Sequence, residues 1–335
     1  MGPHDPHRTD ERPHVERTED ELIAAIRKVL SGAGPEVVVP VGDDAAVVRP
    51  GSGDLVLTTD AMVEGAHFRL GQTSARDLGY KAIAVNLSDI AAMAGSPRYA
   101  LCALSLSDAV DAAWVMELFG GMREACDEYA CTLVGGNLAR GAEVTVAVTL
   151  TGEVAPGRAV RRSGARVGDT LVVTGTLGAA AAGVRVADRP TTWSAEERRA
   201  VARLFRPTPR VGEAQVLARH GATAMIDVSD GLTLDLSRLC VASQVGVRLV
   251  VDRVPVDPAA TRDEALGGGE DYELLVTLPS EDAVDAARAE LREAFRVPLT
   301  AIGVVVAEGL VVVAEDGTER SLDPQGWDHF SARQG

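Results

Sequence analysis

Residues 224–232 read Ala224-Met225-Ile226-Asp227-Val228-Ser229-Asp230-Gly231-Leu232. An apolar run ends in two carboxylates that flank Val228 and Ser229. Gly231 follows, and then Leu232, Leu234, Leu236 and Leu239 recur among polar residues. This pattern predicts a buried strand, a tight turn and an amphipathic helix. Two like charges held so close are costly unless something positive sits between them. The theme recurs three times. Asp43-Asp44 follows Gly42 after the apolar run Val37–Val41, Asp60 ends the run Leu55–Thr59, and Asp89 lies in Asn86-Leu87-Ser88-Asp89. Acids at the ends of apolar segments, with few basic neighbours in sequence, point to a cage for hard cations and hence to a magnesium-nucleotide enzyme.

Composition narrows the alternatives. The chain has 335 residues, room for two domains, and 46% hydrophobic residues but only 4% aromatics, so its cores must be built from Ala, Val and Leu. A net charge of −16 argues against nucleic acid or an anionic membrane as a partner. Anionic small molecules stay possible if divalent cations intervene. Lys28 and Lys81 are the only lysines, and no Gly-x-x-x-x-Gly-Lys stretch is present, which excludes a P-loop. Cys102, Cys126, Cys131 and Cys240 form no CxxC pair, lie in apolar segments and are expected as buried free thiols. With no signal peptide and no membrane-length apolar run, the expected location is the cytoplasm.

Residues 1–17, with His4, His7 and His14, are expected to be a disordered tail. Thr18-Glu19-Asp20-Glu21 predicts a helix opened by a capping box. Strands are expected at Val37–Val41, Leu55–Thr59, Tyr99–Leu106 and Val144–Val154, and helices over 75–94 and Ala112–Tyr129. In the helix over 75–94, Leu78, Ala82, Val85, Asp89 and Met93 share a stripe. Leu133–Asn137 reads as an apolar run ending in a glycine turn. A boundary near Pro156-Gly157 divides an N-terminal domain, 18–156, from a C-terminal domain, 157–335. Arg158, Arg161 and Arg162 follow it as a compact basic group, either a solvated linker or an arginine fork for phosphate. Alternating strands and helices predict an α/β fold in both halves.

The acids are not accompanied by a Cys/His cluster, which disfavours zinc, whereas magnesium usually binds through a few carboxylates and substrate phosphates. Five segments in register carry a closer resemblance. They are Val41-Gly42-Asp43-Asp44-Ala45-Ala46, Thr58 to Phe68 (TTDAMVEGAHF), Lys81 to Met93 (KAIAVNLSDIAAM), Asp227 to Leu232 (DVSDGL) and Gly268 to Leu274 (GGEDYEL). The chain resembles, from about residue 18 to 330, the thiamine-monophosphate kinases of the aminoimidazole-ribonucleotide synthetase superfamily.

The resemblance implies a two-domain α/β (α+β) architecture and a homodimer paired through the N-terminal sheet, with interface residues between about 36 and 155. It implies ATP as co-substrate, Mg2+ as cofactor and phosphorylation of thiamine monophosphate to thiamine diphosphate. Asp44, Thr58, Thr59, Asp60, Asp89, Asp227 and Asp230 match magnesium positions. Gly136, Asn137, Arg162 and Ser229 match nucleotide contacts, and His67, Glu270 and Trp327 match contacts to thiamine phosphate. Asp44, Asp227, Asp230 and Arg162 are the residues expected to serve the transfer itself. Asn137 departs from the family, which usually has an aspartate there as a further magnesium ligand. The acceptor is already a phosphate, so no general base is required. Alternatives are another ATP-dependent enzyme of the superfamily, or a nucleotide sensor without turnover. Residues 1–40 hold no cysteine and none follows Cys240, which disfavours selenophosphate synthetase and the hydrogenase-maturation dehydratase.

Overall fold

The computed structural model describes residues 18–30, 32, 34–41, 45–189, 192–314 and 316–327. The readings made for Asp43, Asp44, the histidine-bearing tail and the residues after Trp327 lie outside them. Helix α1 (Glu19–Val29) opens on the expected capping box: the Glu21 amide donates to Thr18 Oγ1 at 3.3 Å and the Thr18 amide to Glu21 Oε2 at 2.9 Å. A short ribbon, β1 (Val37–Val39) with β2 (Val47–Val48), precedes β3 (Asp54–Val63), α2 (Ala75–Ala92), β4 (Ser96–Leu106), α3 (Ala112–Glu128), β5 (Thr132–Arg140) and β6 (Thr145–Val154). Among the described residues these strands form a sheet in the order β3-β6-β4-β5, with β4 and β5 parallel and the other pairs antiparallel. Helices α2 and α3 pack on one face, and Leu55, Leu57 and Leu101 stand exposed on the other.

Two local expectations are corrected. Asp60 does not end its strand, because β6 pairs with β3 residue by residue from Asp54 to Val63. Leu133–Asn137 does not run into a turn, because β5 continues straight through Gly135-Gly136. A Cβ on Gly136 would lie 1.8 Å from the Cys102 carbonyl oxygen, so this glycine serves close strand approach rather than chain reversal.

The second half runs β7 (Thr170–Thr174), α4 (Ala179–Ala187), α5 (Ala195–Phe205), α6 (Val211–Arg219), β8 (Ala224–Asp227), α7 (Leu232–Ser243), β9 (Gly246–Val250), α8 (Arg262–Gly267), β10 (Leu274–Leu278), α9 (Glu281–Ala294), β11 (Leu299–Val306), β12 (Leu310–Val313) and β13 (Glu319–Ser321). Among the described residues the sheet order is β13-β12-β9-β11-β7-β10-β8. Antiparallel pairing brings the ends of β7 and β8 level with the starts of β10 and β11, at Thr174, Asp227, Leu274 and Leu299. Both faces are covered by apolar clusters, one built on Leu171, Ile226, Leu236 and Leu249, the other on Val172, Met225, Leu217 and Leu291.

Helix α2 joins the halves. Leu78, Ile83, Leu87 and Ile90 belong to the core under the first sheet, while Ala91, Ala92 and Ala94 belong to a core of the second. The helix is therefore buried nearly all round, as a helix wedged between two layers must be. The stripe read from sequence marks only part of that contact. Its crossing with α3 depends on two glycines: a Cβ on Gly79 would lie 1.9 Å from the Leu118 carbonyl oxygen, and one on Gly121 would lie 1.7 Å from that of Arg76. Backbone cannot move aside cheaply. Gly121→Ala is expected to cost about 1–3 kcal/mol through overpacking and to lower the thermal midpoint by several degrees in a differential scan. Gly34→Ala, with none of the described residues within 4 Å of the new methyl, is expected to leave it unmoved.

Candidate active site

The end of β8 delivers Asp227 into the junction between the halves, where its side chain is 2% exposed. Ser88 on α2 donates a hydrogen bond of 2.7 Å to Asp227 Oδ2. The next residue on α2, Asp89, accepts a hydrogen bond from the Thr58 hydroxyl of β3. Burial and the neighbouring Asp89 charge push the Asp227 carboxyl up to about 8, against the lowering effect of Ser88 and Arg162. Burial likewise raises Asp89, opposed by the Thr58 bond and Arg162. Two acids from different halves thus share one arginine.

Tyr272 closes the group. Burial, followed by the charges of Glu270, Asp227, Asp60 and Asp230, raises its hydroxyl well above the ordinary tyrosine range, so the fields of these four acids meet at one hydroxyl. The Val228–Gly231 turn is shaped from below by Asp235 on α7, whose Oδ2 accepts from the amides of Ser229, Asp230 and Gly231 at 3.1, 3.0 and 3.2 Å. Arg238, one turn further along α7, pairs with both Asp230 and Asp235. The positive group that the spacing of Asp227 and Asp230 called for is therefore, at Asp230, an internal guanidinium. Glu270 sits in left-handed backbone at φ +69° and pairs with buried Lys81 of α2 at 2.7 Å. Its amide donates to the Ser229 carbonyl at 2.7 Å, and the Trp327 amide donates to that of Asp230 at 2.9 Å. The Trp327 side chain is 53% exposed beside this turn.

The structure brings Thr58, Asp60, Asp89, Arg162, Asp227, Asp230 and Glu270 to one junction, with the Ser229 backbone and Trp327 at its rim. Strand alternation separates two other residues from it. The Thr59 hydroxyl points to the opposite face and donates to the Val148 carbonyl at 3.0 Å. Asn137 pairs with Ala103 on that opposite face and on the far edge strand, roughly 14 Å across the sheet at about 4.8 Å per strand step; Gly136 precedes it. His67 lies beyond the end of β3, where its Nδ1 accepts from the Val63 amide at 3.1 Å, which leaves the proton on Nε2. Ser88, Lys81, Asp235, Arg238 and Tyr272 went unread in the sequence. Lys81 carried a signal as one of two lysines in an apolar helix, and Asp235 as an acid inside a leucine-rich one.

The donors at the junction are hydroxyl and carboxylate oxygens, a hard set that fits Mg2+. Among the described residues no group of three or more His, Cys, Asp or Glu side chains could hold an ion unaided. That suits an ion held by one or two carboxylates and completed by substrate phosphates. Asn86, one turn before Asp89, keeps a buried Oδ1 that has no hydrogen-bond partner among the described residues, a further oxygen with unspent acceptor capacity.

Comparison with known proteins gives the family. The family described as AIR synthase related protein matches in both parts, its N-terminal domain over residues 42–154 and its C-terminal domain over 166–315. The thiamine-monophosphate kinase of Salmonella typhimurium is 39% identical over 93% of this chain and 98% of its own length, and that of Aquifex aeolicus 34% over 92% and 97%. The chain belongs to the thiamine-monophosphate kinase family. A crystal structure of thiamine-monophosphate kinase from Stenotrophomonas maltophilia K279a superimposes with a TM-score of 0.80 at 37% identity, over 90% of this chain and 97% of that one. AaThiL complexed with AMPPCP and TMP superimposes with a TM-score of 0.74 at 34% identity, over 93% and 97%. A hydrogenase maturation protein HypE, 21% identical with a TM-score of 0.75, shares the fold.

In this kinase-family chain the raised Asp227 carboxyl has a consequence for stability. Between its ordinary value of 3.8 and about 8, the native protein holds a proton that the unfolded chain has released. Stability from this group is therefore full below pH 4 and falls as pH rises through about 8. Without added metal, Asp227→Asn is expected to be more stable than the parent at pH 8, and the difference is expected to shrink towards pH 4. At roughly 1.4 kcal/mol per pKa unit, urea unfolding in EDTA at the two pH values resolves the change. A parallel pH profile for parent and variant would contradict it.

Proposed function

We infer that the protein transfers the γ-phosphoryl group of ATP to thiamine monophosphate, forming thiamine diphosphate and ADP. The observation that carries this reading is the Asp89–Asp227 pair, one acid from each half of a chain that belongs throughout to the thiamine-monophosphate kinase family. AaThiL, complexed with AMPPCP and TMP, supports ATP and thiamine monophosphate as the two substrates.

The chemistry follows from the charges. The acceptor is a phosphomonoester with a second pKa of about 6, so it is largely dianionic at neutral pH and needs no base to attack. The obstacle is the approach of two anions and the charge on the transferred group. Asp60, Asp89 and Asp227, with Thr58 and Asp44, are the residues that would hold Mg2+, supported by their oxygen-only donor set; Asp230 joins them by resemblance. Bound Mg2+ would neutralise phosphate charge and polarise the phosphoryl oxygens. Arg162, whose charge acts on both Asp89 and Asp227, offers a guanidinium to the transferring group. Ser88 and Thr58 fix the orientation of the two carboxylates. Glu270, held by Lys81, and the exposed Trp327 ring supply the acceptor side, the ring offering a π face to the cationic thiazolium. His67, with its proton on Nε2, offers a donor. Steady ADP release that depends on thiamine monophosphate tests the assignment, and Asp227→Asn is expected to slow it by about a hundredfold or more, the usual scale for removing a group aimed at transition-state charge. ADP release at the same rate without the acceptor would remove the assignment.

We also propose a homodimer paired through the outer face of the first sheet. Leu55, Leu57 and Leu101 are 65%, 64% and 44% exposed there, an apolar surface that a second copy would cover isologously. Gly136, Asn137 and Thr59 lie on or beside this face, and the nucleotide and metal roles matched to them would then be exercised across the interface. The buried free cysteines are in keeping with the cytoplasm; among the described residues no helix is long and apolar enough to cross a membrane. Sedimentation at micromolar concentration is expected to give a dimer, and Leu57→Asp a monomer. A monomeric parent would overturn the pairing.

A further inference from the structure

Three residues beyond Glu270 the chain enters a second polar site. A cavity of about 470 Å3 opens at the same end of the second sheet as Asp227, between the ends of α5 and α9 and the start of β11. Arg199, Arg203, Arg206, Arg210 and Arg296 line it, together with two acids, Glu273 and Asp257. Such a concentration of guanidinium runs against the net charge of −16. We propose that this cavity binds a phosphate-bearing small molecule, at a site distinct from the candidate active site.

The arginines divide by what they already hold. Arg210 is spent: its Nε and Nη2 donate to Glu273 at 2.7 and 2.5 Å and its Nη1 to Glu213 at 3.1 Å. Arg206 is spent on Asp77 and Glu124 at 3.1 and 2.9 Å, with its guanidinium 4.2 Å from the Tyr80 ring centroid. Glu273 also accepts from the Thr174 hydroxyl at 2.7 Å and from Arg203 at 2.8 Å. Burial works to raise Glu273, but Arg210 and Arg203 outweigh it and hold the carboxyl below its ordinary range. Glu273 is thus neutralised by its own partners, while Asp257 accepts from the Thr176 hydroxyl at 3.3 Å and the Ala259 amide at 2.9 Å and leaves the five guanidinium groups in excess. Arg199 remains with its nearest carboxylate, Glu196, at 3.9 Å. Arg296 makes no ion pair or hydrogen bond among the described residues. Arg203 still has donors beyond those given to Glu273 and the Asp271 carbonyl.

The backbone at Arg296 adds a second argument. It follows α9 in left-handed conformation, φ +58°, where glycine is the usual occupant because a side chain costs roughly 1–2 kcal/mol. The arginine that takes this place lines the cavity. Guanidinium forks match phosphate oxygens two at a time, and two or three unspent forks call for more than one negative charge. The volume falls in the range of small-molecule sites and exceeds what inorganic phosphate needs. Val297 and Pro298 on the wall give an uncharged portion of the ligand an apolar surface.

Isothermal titration of the full chain with inorganic pyrophosphate, in EDTA so that no metal bridges it to the acids, tests the site. One pyrophosphate per chain is expected, with affinity falling as salt is raised. Arg199→Ala/Arg296→Ala removes two exposed side chains without a close carboxylate partner. It is expected to weaken binding at least tenfold while leaving the KM for ATP and for thiamine monophosphate unchanged. Arg162→Ala is expected to leave pyrophosphate binding intact. If the parent does not bind, if the double variant binds as the parent does, or if Arg162→Ala abolishes binding, the proposal fails. None of these outcomes bears on the kinase assay, which reads the acids at the junction.

Discussion

Asp227 ends a strand of the second sheet, and the serine that holds its carboxylate belongs to a helix packed beneath the first. An ionised carboxylate removed from water in this way is expensive unless something compensates it. Here a single hydroxyl and a shared arginine do so only in part, and the neighbouring Asp89 makes matters worse. The junction between the halves is consequently built around an unmet demand for positive charge. A protein that must gather two phosphorylated substrates can use such a demand, because the cation that relieves it also screens the phosphates. The raised Asp227 carboxyl is the cost of that arrangement to stability.

The surrounding acids do not share that demand. Lys81 pairs with Glu270, Arg238 is shared by Asp230 and Asp235, and Arg203 and Arg210 pair with Glu273. These pairs also fix backbone. Asp235 gathers three consecutive amides into the turn after Asp227. The left-handed residues Glu270 and Tyr272 are anchored by hydrogen bonds from their amides to the carbonyls of Ser229 and Val228. Rigid pairs around one uncompensated pair is the arrangement expected where catalysis depends on alignment and electrostatics rather than on a general base.

Helix α2 gives the junction its geometry. It presents Lys81, Ser88 and Asp89 to the second half while its apolar residues fill the first core and its last turn enters the second. Because two glycines bring it against the backbone of α3, its position admits little play. The hydrogen bond from Ser88 to Asp227 can then be set by packing in both halves at once.

Much of this was legible in the chain alone. Apolar runs of strand length, the capping box at Thr18, the leucine periodicity of α7 and the carboxylates at the ends of apolar segments all follow from local rules, because each element's pattern mirrors the face it buries. The acid-rich character of the site was readable for the same reason. Pairing and direction were not. Whether β3 stops at Thr59 or carries Asp60 in mid-strand depends on β6, some ninety residues away. Which of Thr58 and Thr59 turns towards Asp89 depends on which face α2 covers. That Asp230 meets Arg238, and Glu270 meets Lys81, depends on the stacking of separate layers. Local sequence sets what each segment can bury. Only tertiary packing decides which charges become neighbours, because electrostatic pairing acts through space between residues the chain keeps far apart.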